Sequence, residues 1–260
     1  MVPEWRGDLW HLLACLSKYC SLLYVKCIYC ADYSSHEDYL TLDGQIQHKL
    51  AYISDYIPAG KRLILIGHSI GCYMILKMLS SDTDNSLVQF CSAHDVAKCY
   101  LLFPTIERMA QSPNGRFFTP LLKYFRWMIP LMTFPLLFLP DQIKRFLVER
   151  YFGVDFPQCA IEATIKLLSA SSFGNSAYLT NIEMQSVCEL DIETVEKNID
   201  QLCFYYGTSD AWCRTEYYHS MKRLFPSGEI HLCSHGIQHA FVLKSSKEMA
   251  SIMSDWLKVN

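Results

Sequence analysis

Short apolar blocks alternate with longer stretches of helical periodicity along most of this chain. Leu22–Tyr29, with Val, Ile and Tyr in a compact run, predicts a buried strand. Leu40, Leu42, Ile46, Leu50, Ile53 and Ile57 recur at helical spacing and predict an amphipathic helix over 40–57, ended by Pro58, Ala59 and Gly60. Arg62–Ile66 reads as a second buried strand, with a helix continuing through Tyr73–Leu79. Lys98–Phe103 reads as a third, closed by Pro104. Residues 104–200 break the rhythm: they are rich in Pro and aromatics at first, then helix-like and more polar. The alternation returns with a strand at Leu202–Tyr206, a helix near 214–224, a strand at Glu229–Cys233 and a helix over 246–258. Ser245 and Glu248 have capping-box spacing at the start of that last helix. Strands alternating with helices predict a mostly parallel sheet covered on both faces. The chain is expected to form a single domain over 1–260, with an insertion at about 104–200.

Composition narrows the function classes. With 260 residues the chain is long enough to bury a substantial core, and 51% hydrophobic against 19% charged residues fits a globular protein. A net charge of −3 provides no basic footprint for nucleic acid. The twelve cysteines are irregularly spaced. Cys27 and Cys30 form a C-x-x-C pair inside a strand-like run, with no second pair at zinc spacing, so ordinary free thiols and no metal are expected. No secretory signal is evident at the start, and a reducing compartment is expected.

The chemistry enters at Gly67-His68-Ser69-Ile70-Gly71, a G-x-S-x-G pattern between an apolar strand and an apolar helix. A serine on so tight a turn takes strained backbone angles that need small neighbours two residues either side. The turn lifts the hydroxyl above the sheet and aims first-turn amides, that of Ile70 first, at the oxygen of a reacting ester. These features predict an α/β-hydrolase fold with Ser69 as nucleophile. A serine needs a base, and the base an orienting carboxylate, in the chain order Ser, acid, His on this fold. Asp210 follows strand Leu202–Tyr206, and His239 follows strand Glu229–Cys233, so parallel strands bring both to the rim that holds Ser69. His235 lies nearer its strand end in a polar setting, and His68 is expected to pack or hydrogen-bond away from Ser69. Asp200 precedes its strand, and Glu216 falls within the following helix. The remaining histidines are expected to face solvent or satisfied pockets.

With these residues placed, the chain resembles the lipid droplet-associated hydrolase family. The resemblance is carried by Leu42–Leu50, Leu65–Gly71, Leu101–Met109 with Ser112–Arg116, Phe204–Thr208 with Asp210 and Trp212, and His239-Ala240-Phe241. It runs from about residue 40 to the C-terminus. It implies a serine lipid hydrolase on lipid droplets, also associated with the endoplasmic reticulum, with Ser69, Asp210 and His239 as nucleophile, acid and base. The family also has an earlier strand ending in a Pro-Gly-Asn-Pro-Gly type loop that would supply a second oxyanion amide beside that of Ile70. This sequence contains no such motif, so the N-terminal strand and oxyanion loop are expected to be missing and the activity of the chain reduced.

Phe117–Pro140 is the longest apolar stretch. Lys123 and Arg126, with Pro120, Pro130 and Pro135, argue against a transmembrane helix. One reading is a hydrophobic cap over the site. The other, towards which the resemblance points, is a proline-broken lid dipping into a lipid monolayer on the cytosolic face, with Trp127, Phe134 and Phe138 as anchors. The expected function is hydrolysis of neutral acyl or sterol esters at the droplet surface without cofactor. Two alternatives are a weakly active or inactive droplet-surface protein working through the insertion, and acyl transfer through the same acyl-enzyme.

Overall fold

The computed structural model describes residues 21–25, 41–80, 94–153, 158–168 and 170–259. Among the described residues five strands form one sheet in simple chain order: β1 (Ser21–Val25), β2 (Arg62–His68), β3 (Asp95–Leu102), β4 (Leu202–Tyr206) and β5 (Glu229–Leu232). Every neighbouring pair is parallel. Parallel strands buried on both faces should be apolar throughout, and the five residues Leu63–Gly67 of β2 are all buried.

The period of two sorts those side chains onto opposite faces. Leu63, Leu65, Cys99, Leu101, Leu202, Phe204 and Tyr206 pack on one side. Helices α1 (Leu42–Tyr56) and α2 (Ile70–Leu79) cover that side through Leu42, Ile46, Leu50, Ile53, Met74, Ile75 and Met78. Ile64, Ile66, Tyr100, Leu102, Cys203 and Tyr205 face the other way. They meet Phe241, Met249 and Met253 from two helices near the C-terminus, Phe241–Lys244 and Ser246–Val259.

Several element ends differ from the sequence expectation. Helix α1 starts at Leu42 because Thr41 caps it, its hydroxyl accepting from the Gly44 amide at 2.9 Å. Helix α2 begins directly after Ser69, three residues before the periodic apolar run at Tyr73. Strand β3 begins at Asp95 and stops at Leu102, because Phe103 turns to a left-handed φ of 50°. Strand β5 stops one residue short of Cys233, whose amide nevertheless donates to the Tyr206 carbonyl at 2.8 Å. Cys27, Cys30, His11, His36 and the second half of the first expected strand lie outside the described residues.

The chain between β3 and β4 forms a helical layer: α3 (Pro113–Phe125), α4 (Met128–Thr133), α5 (Asp141–Phe152), α6 (Gln158–Leu167), α7 (Ala170–Ser186) and α8 (Ile192–Lys197). Helix α3 is set by Ser112, whose hydroxyl caps the Gly115 amide at 2.9 Å, and by Pro113 in the first turn. Gly115 is obligatory there, since a Cβ would lie 2.0 Å from the Met109 carbonyl oxygen. Helix α7 packs against α3 and α4 and buries Leu179 and Met184. Pro120 lies inside α3, and a 3-10 turn at Phe134–Phe138 separates α4 from α5. Among the described residues no helix is long and apolar enough to cross a membrane. After β4 come α9 (Thr215–Leu224), then β5, α10 (Phe241–Lys244) and α11 (Ser246–Val259). Ser245 stands at the junction of α10 and α11, where its carbonyl accepts the Met249 amide.

Candidate active site

Strand β2 leads through His68 into Ser69, and α2 starts at the next residue. Ser69 takes φ 56° and ψ −122°, a conformation costly for a residue with a Cβ. The turn is tight because Gly67 and Gly71 nearly touch: a Cβ on Gly67 would lie 2.9 Å from Gly71 backbone atoms and from the Cys72 amide. The backbone is held by hydrogen bonds through both the amide and the carbonyl of Ser69. Ser69 N–H donates to the Leu102 carbonyl, and the Ser69 carbonyl accepts from Cys72 and Thr105.

Asp210 lies beyond the end of β4, with its side chain fully buried. Its Oδ1 accepts the Trp212 amide at 2.7 Å and the Cys213 amide at 3.0 Å. Its Oδ2 accepts from His239 Nδ1 at 2.6 Å. The other ring nitrogen, Nε2, is 2.9 Å from Ser69 Oγ. With Nδ1–H committed to Asp210, neutral His239 leaves Nε2 to accept the serine proton. The structure thus brings Ser69, His239 and Asp210 together, as their positions at strand ends predict.

The candidates weighed against them fall elsewhere. His235 is exposed, Asp200 sits in a 3-10 turn ahead of β4, and Glu216 lies in the first turn of α9, paired with Arg214. His68 donates from Nε2 to the His239 carbonyl at 2.8 Å and packs its ring edge against Phe241. It therefore holds the backbone of His239 and not the serine oxygen. Ile70 opens α2, so its amide belongs to the first turn, whose N–H groups have no partner within the helix.

Three further residues surround these hydrogen bonds without belonging to any catalytic motif in the sequence. Thr105 is buried, and its Oγ1 lies 3.2 Å from Ser69 Oγ. Cys213 Sγ is 3.4 Å from Thr105 Oγ1 and donates to the Phe103 carbonyl. Burial, then the nearby Asp210, pushes the Cys213 thiol well above its usual range, so it stays protonated as a donor. Phe103, at its left-handed φ, sets its ring edge-on to His239 and His68. Gly207 makes room for that ring, since a Cβ there would lie 2.8 Å from it. The available signal was position: Phe103 and Thr105 directly follow the strand beside β2.

Among the described residues two groups have spacing compatible with a metal, Asp210/Cys213/His239 and Cys203/Glu229/His231. In the first, the Asp210–His239 hydrogen bond occupies the ligand atoms. In the second, Lys98 Nζ sits 2.5 Å from Glu229 Oε2. Any cation would have to displace these partners.

The inserted helices turn a broad apolar surface outward. Trp127, Phe134 and Phe138, the residues expected to anchor in lipid, are 67%, 51% and 73% exposed. Phe117, Tyr124, Phe125, Leu131, Met132 and Phe146 are also exposed. Phe118 stacks on Trp212, which links this surface to the loop carrying Asp210.

The fold is that of α/β-hydrolases. A hydrolase from Oleispira antarctica matches with a TM-score of 0.53 at 11% identity, covering 88% of this chain and 77% of that one. A thermophilic esterase from Thermogutta terrifontis matches with a TM-score of 0.51 at 13% identity, over 84% and 72%. Closer likeness comes from sequence. The lipid droplet-associated hydrolase of Gallus gallus is 41% identical over 230 residues, covering 87% of this chain and 68% of that protein. The one of Homo sapiens is 41% identical over 224 residues, covering 85% and 66%. The chain thus spans about two thirds of the length of these relatives. The sequence profile of the family described as lipid-droplet associated hydrolase matches residues 24–242, and this chain belongs to that family.

Proposed function

We propose that this chain is a serine hydrolase acting on neutral lipid esters, acyl or sterol, at the lipid droplet surface and the cytosolic face of the endoplasmic reticulum. The observation that carries the reading is the unbroken hydrogen-bond chain from Asp210 through His239 to Ser69 Oγ. In this reading Ser69 sits on a nucleophile elbow and attacks the ester carbonyl while its proton passes to His239 Nε2. The Ile70 amide faces the developing oxyanion. His239 then gives the proton to the departing alcohol, and Asp210 holds the imidazole and stabilises its charged form. Water repeats the sequence on the acyl-enzyme, releasing the acid and returning the proton to Ser69. Nucleophile, base, orienting carboxylate and oxyanion donor in this scheme all come from the polypeptide, and water is the second reactant.

The surroundings of the site support this substrate class. Exposed aromatic side chains on α3 to α5, joined to the Asp210 loop through Phe118 and Trp212, favour an apolar substrate delivered from a lipid phase. The same surface favours a second reading, a droplet-surface protein whose inserted helices carry the function with little turnover. Fluorophosphonate labelling separates the two. The hydrolase reading expects Ser69-dependent labelling that Ser69→Ala abolishes; equal labelling of both proteins would sink it. Deleting 117–140 should abolish droplet targeting in either reading, but turnover of a water-soluble ester survives only in the first.

A further inference from the structure

The groups around Ser69 close into a ring. Ser69 Oγ meets His239 Nε2, His239 Nδ1 meets Asp210 Oδ2, and Asp210 Oδ1 accepts the Cys213 amide. Cys213 Sγ then lies 3.4 Å from Thr105 Oγ1, which returns to Ser69 Oγ at 3.2 Å. The ring is braced beneath by the Thr105 amide, which donates to the Ser69 carbonyl at 3.3 Å.

The proton positions follow from the donor inventory. His239 Nδ1–H is committed to Asp210, so Nε2 accepts, and Ser69 Oγ–H must donate to it. The Cys213 thiol donates to the Phe103 carbonyl at 3.2 Å, which leaves only a weak sulfur acceptor facing Thr105. The one hydroxyl proton of Thr105 therefore has its best acceptor in Ser69 Oγ. Thr105 is 2% exposed, so no water competes freely for that proton.

From this geometry we infer that Thr105 is a catalytic residue, a hydrogen-bond donor to the nucleophilic oxygen itself. The inference rests on the serine-hydrolase reading above. As the Ser69 proton moves to His239, negative charge builds on Oγ before its bond to the ester carbon is complete. A fixed donor stabilises that charge more than it stabilises the resting hydroxyl. On deacylation the same bond breaks and Oγ departs, receiving its proton back from His239, again with Thr105 donating to it. Thr105 also narrows Ser69 to the rotamer that faces His239.

The test is the second-order rate of labelling by a fluorophosphonate, in which a Ser69 Oγ–phosphorus bond forms, fluoride leaves and the proton passes to His239. Thr105→Val keeps the shape and removes the donor; it should label about tenfold more slowly, the worth of one hydrogen bond at the transition state. Thr105→Ser restores the hydroxyl and should recover most of that loss, a rescue that a packing role for the side chain would not give. Melting temperatures identify folded variants, and Thr105→Ala replaces Val if Val does not fold. A folded Val or Ala variant that labels at the wild-type rate overturns the inference while leaving Ser69-dependent labelling intact. So does a Ser variant that labels as slowly as Val. Equal labelling of wild type and Ser69→Ala overturns the hydrolase reading and this inference with it.

Discussion

The rim above the sheet and the helices inserted between β3 and β4 solve opposite problems. At the rim, polar atoms converge within hydrogen-bond distance, and the Asp210 carboxylate has both oxygens occupied while fully buried. In the inserted layer, large apolar side chains turn outward along α3 to α5. Directional bonds make the first region depend on single atoms. The second depends on summed apolar area, which is non-directional and tolerant of exchange among like residues. One region can therefore be destroyed by an isosteric change, and the other only by removing surface.

The sharpest separation comes from Asp210→Asn. The amide keeps the shape but favours the wrong His239 tautomer, so turnover of a water-soluble ester should fall by about 10⁴-fold with droplet binding unchanged. Parallel loss of both would mean that the two regions are not independent. A smaller effect is expected from replacing Trp127, Phe134 and Phe138 together by Ser. Partition onto phospholipid-coated triglyceride emulsions, read by flotation, should drop at least ~10-fold from the lost apolar area, and soluble-ester turnover should stay within about twofold. Undiminished partition would assign the surface to another role.

The smallest effect serves as a control at the opposite end of the strands. Burial raises the Glu229 pKa, but hydrogen bonding and charge from Lys98, with the Cys203 thiol, outweigh it and hold the carboxyl below its ordinary 4.5. A lowered folded-state value means stability present above 4.5 and lost as pH falls through the folded value. Glu229→Gln should cost under ~1 kcal/mol at neutral pH, since the pair is partly exposed, and the cost should fade below pH 4.5. Thermal melts from about pH 3 to about pH 7, a span that covers carboxylate titration, check this, with neither Ser69 labelling nor emulsion partition altered, and a cost that persists undiminished at the acid end would contradict it.

Much of the rim was legible in the chain because strand direction is. Once Leu202–Tyr206 and Glu229–Cys233 read as parallel strands, Asp210 and His239 had to emerge at one edge with Ser69. Runs such as Leu63–Ile66 and Leu202–Tyr206 also read as strands, but being apolar on both faces they show no alternation, and only the period of two of strand geometry sorts their side chains. What the sequence did not expose were contacts fixed by torsion and not by pattern. The left-handed turn at Phe103 shortens β3 and places the ring against His239, yet Phe carries no local signal for positive φ. Thr105 read as part of a segment resembling the family, without a role, because its contact with Ser69 depends on that same turn. Exposure of the aromatic residues in 117–140 was likewise open, since an apolar helix face reads the same whether it meets protein or lipid.

Strands β3 and β4 are immediate neighbours, with Cys99 beside Leu202 and Leu102 beside Tyr205, although the whole inserted layer lies between them in the chain. The layer thus leaves and re-enters the sheet at adjoining points. Closing an excursion of roughly a hundred residues costs little more entropy than closing a far shorter one, because the penalty grows only with the logarithm of length. These helices can therefore be lengthened, trimmed or re-faced while the register of the sheet, and the hydrogen bonds above it, stay as they are.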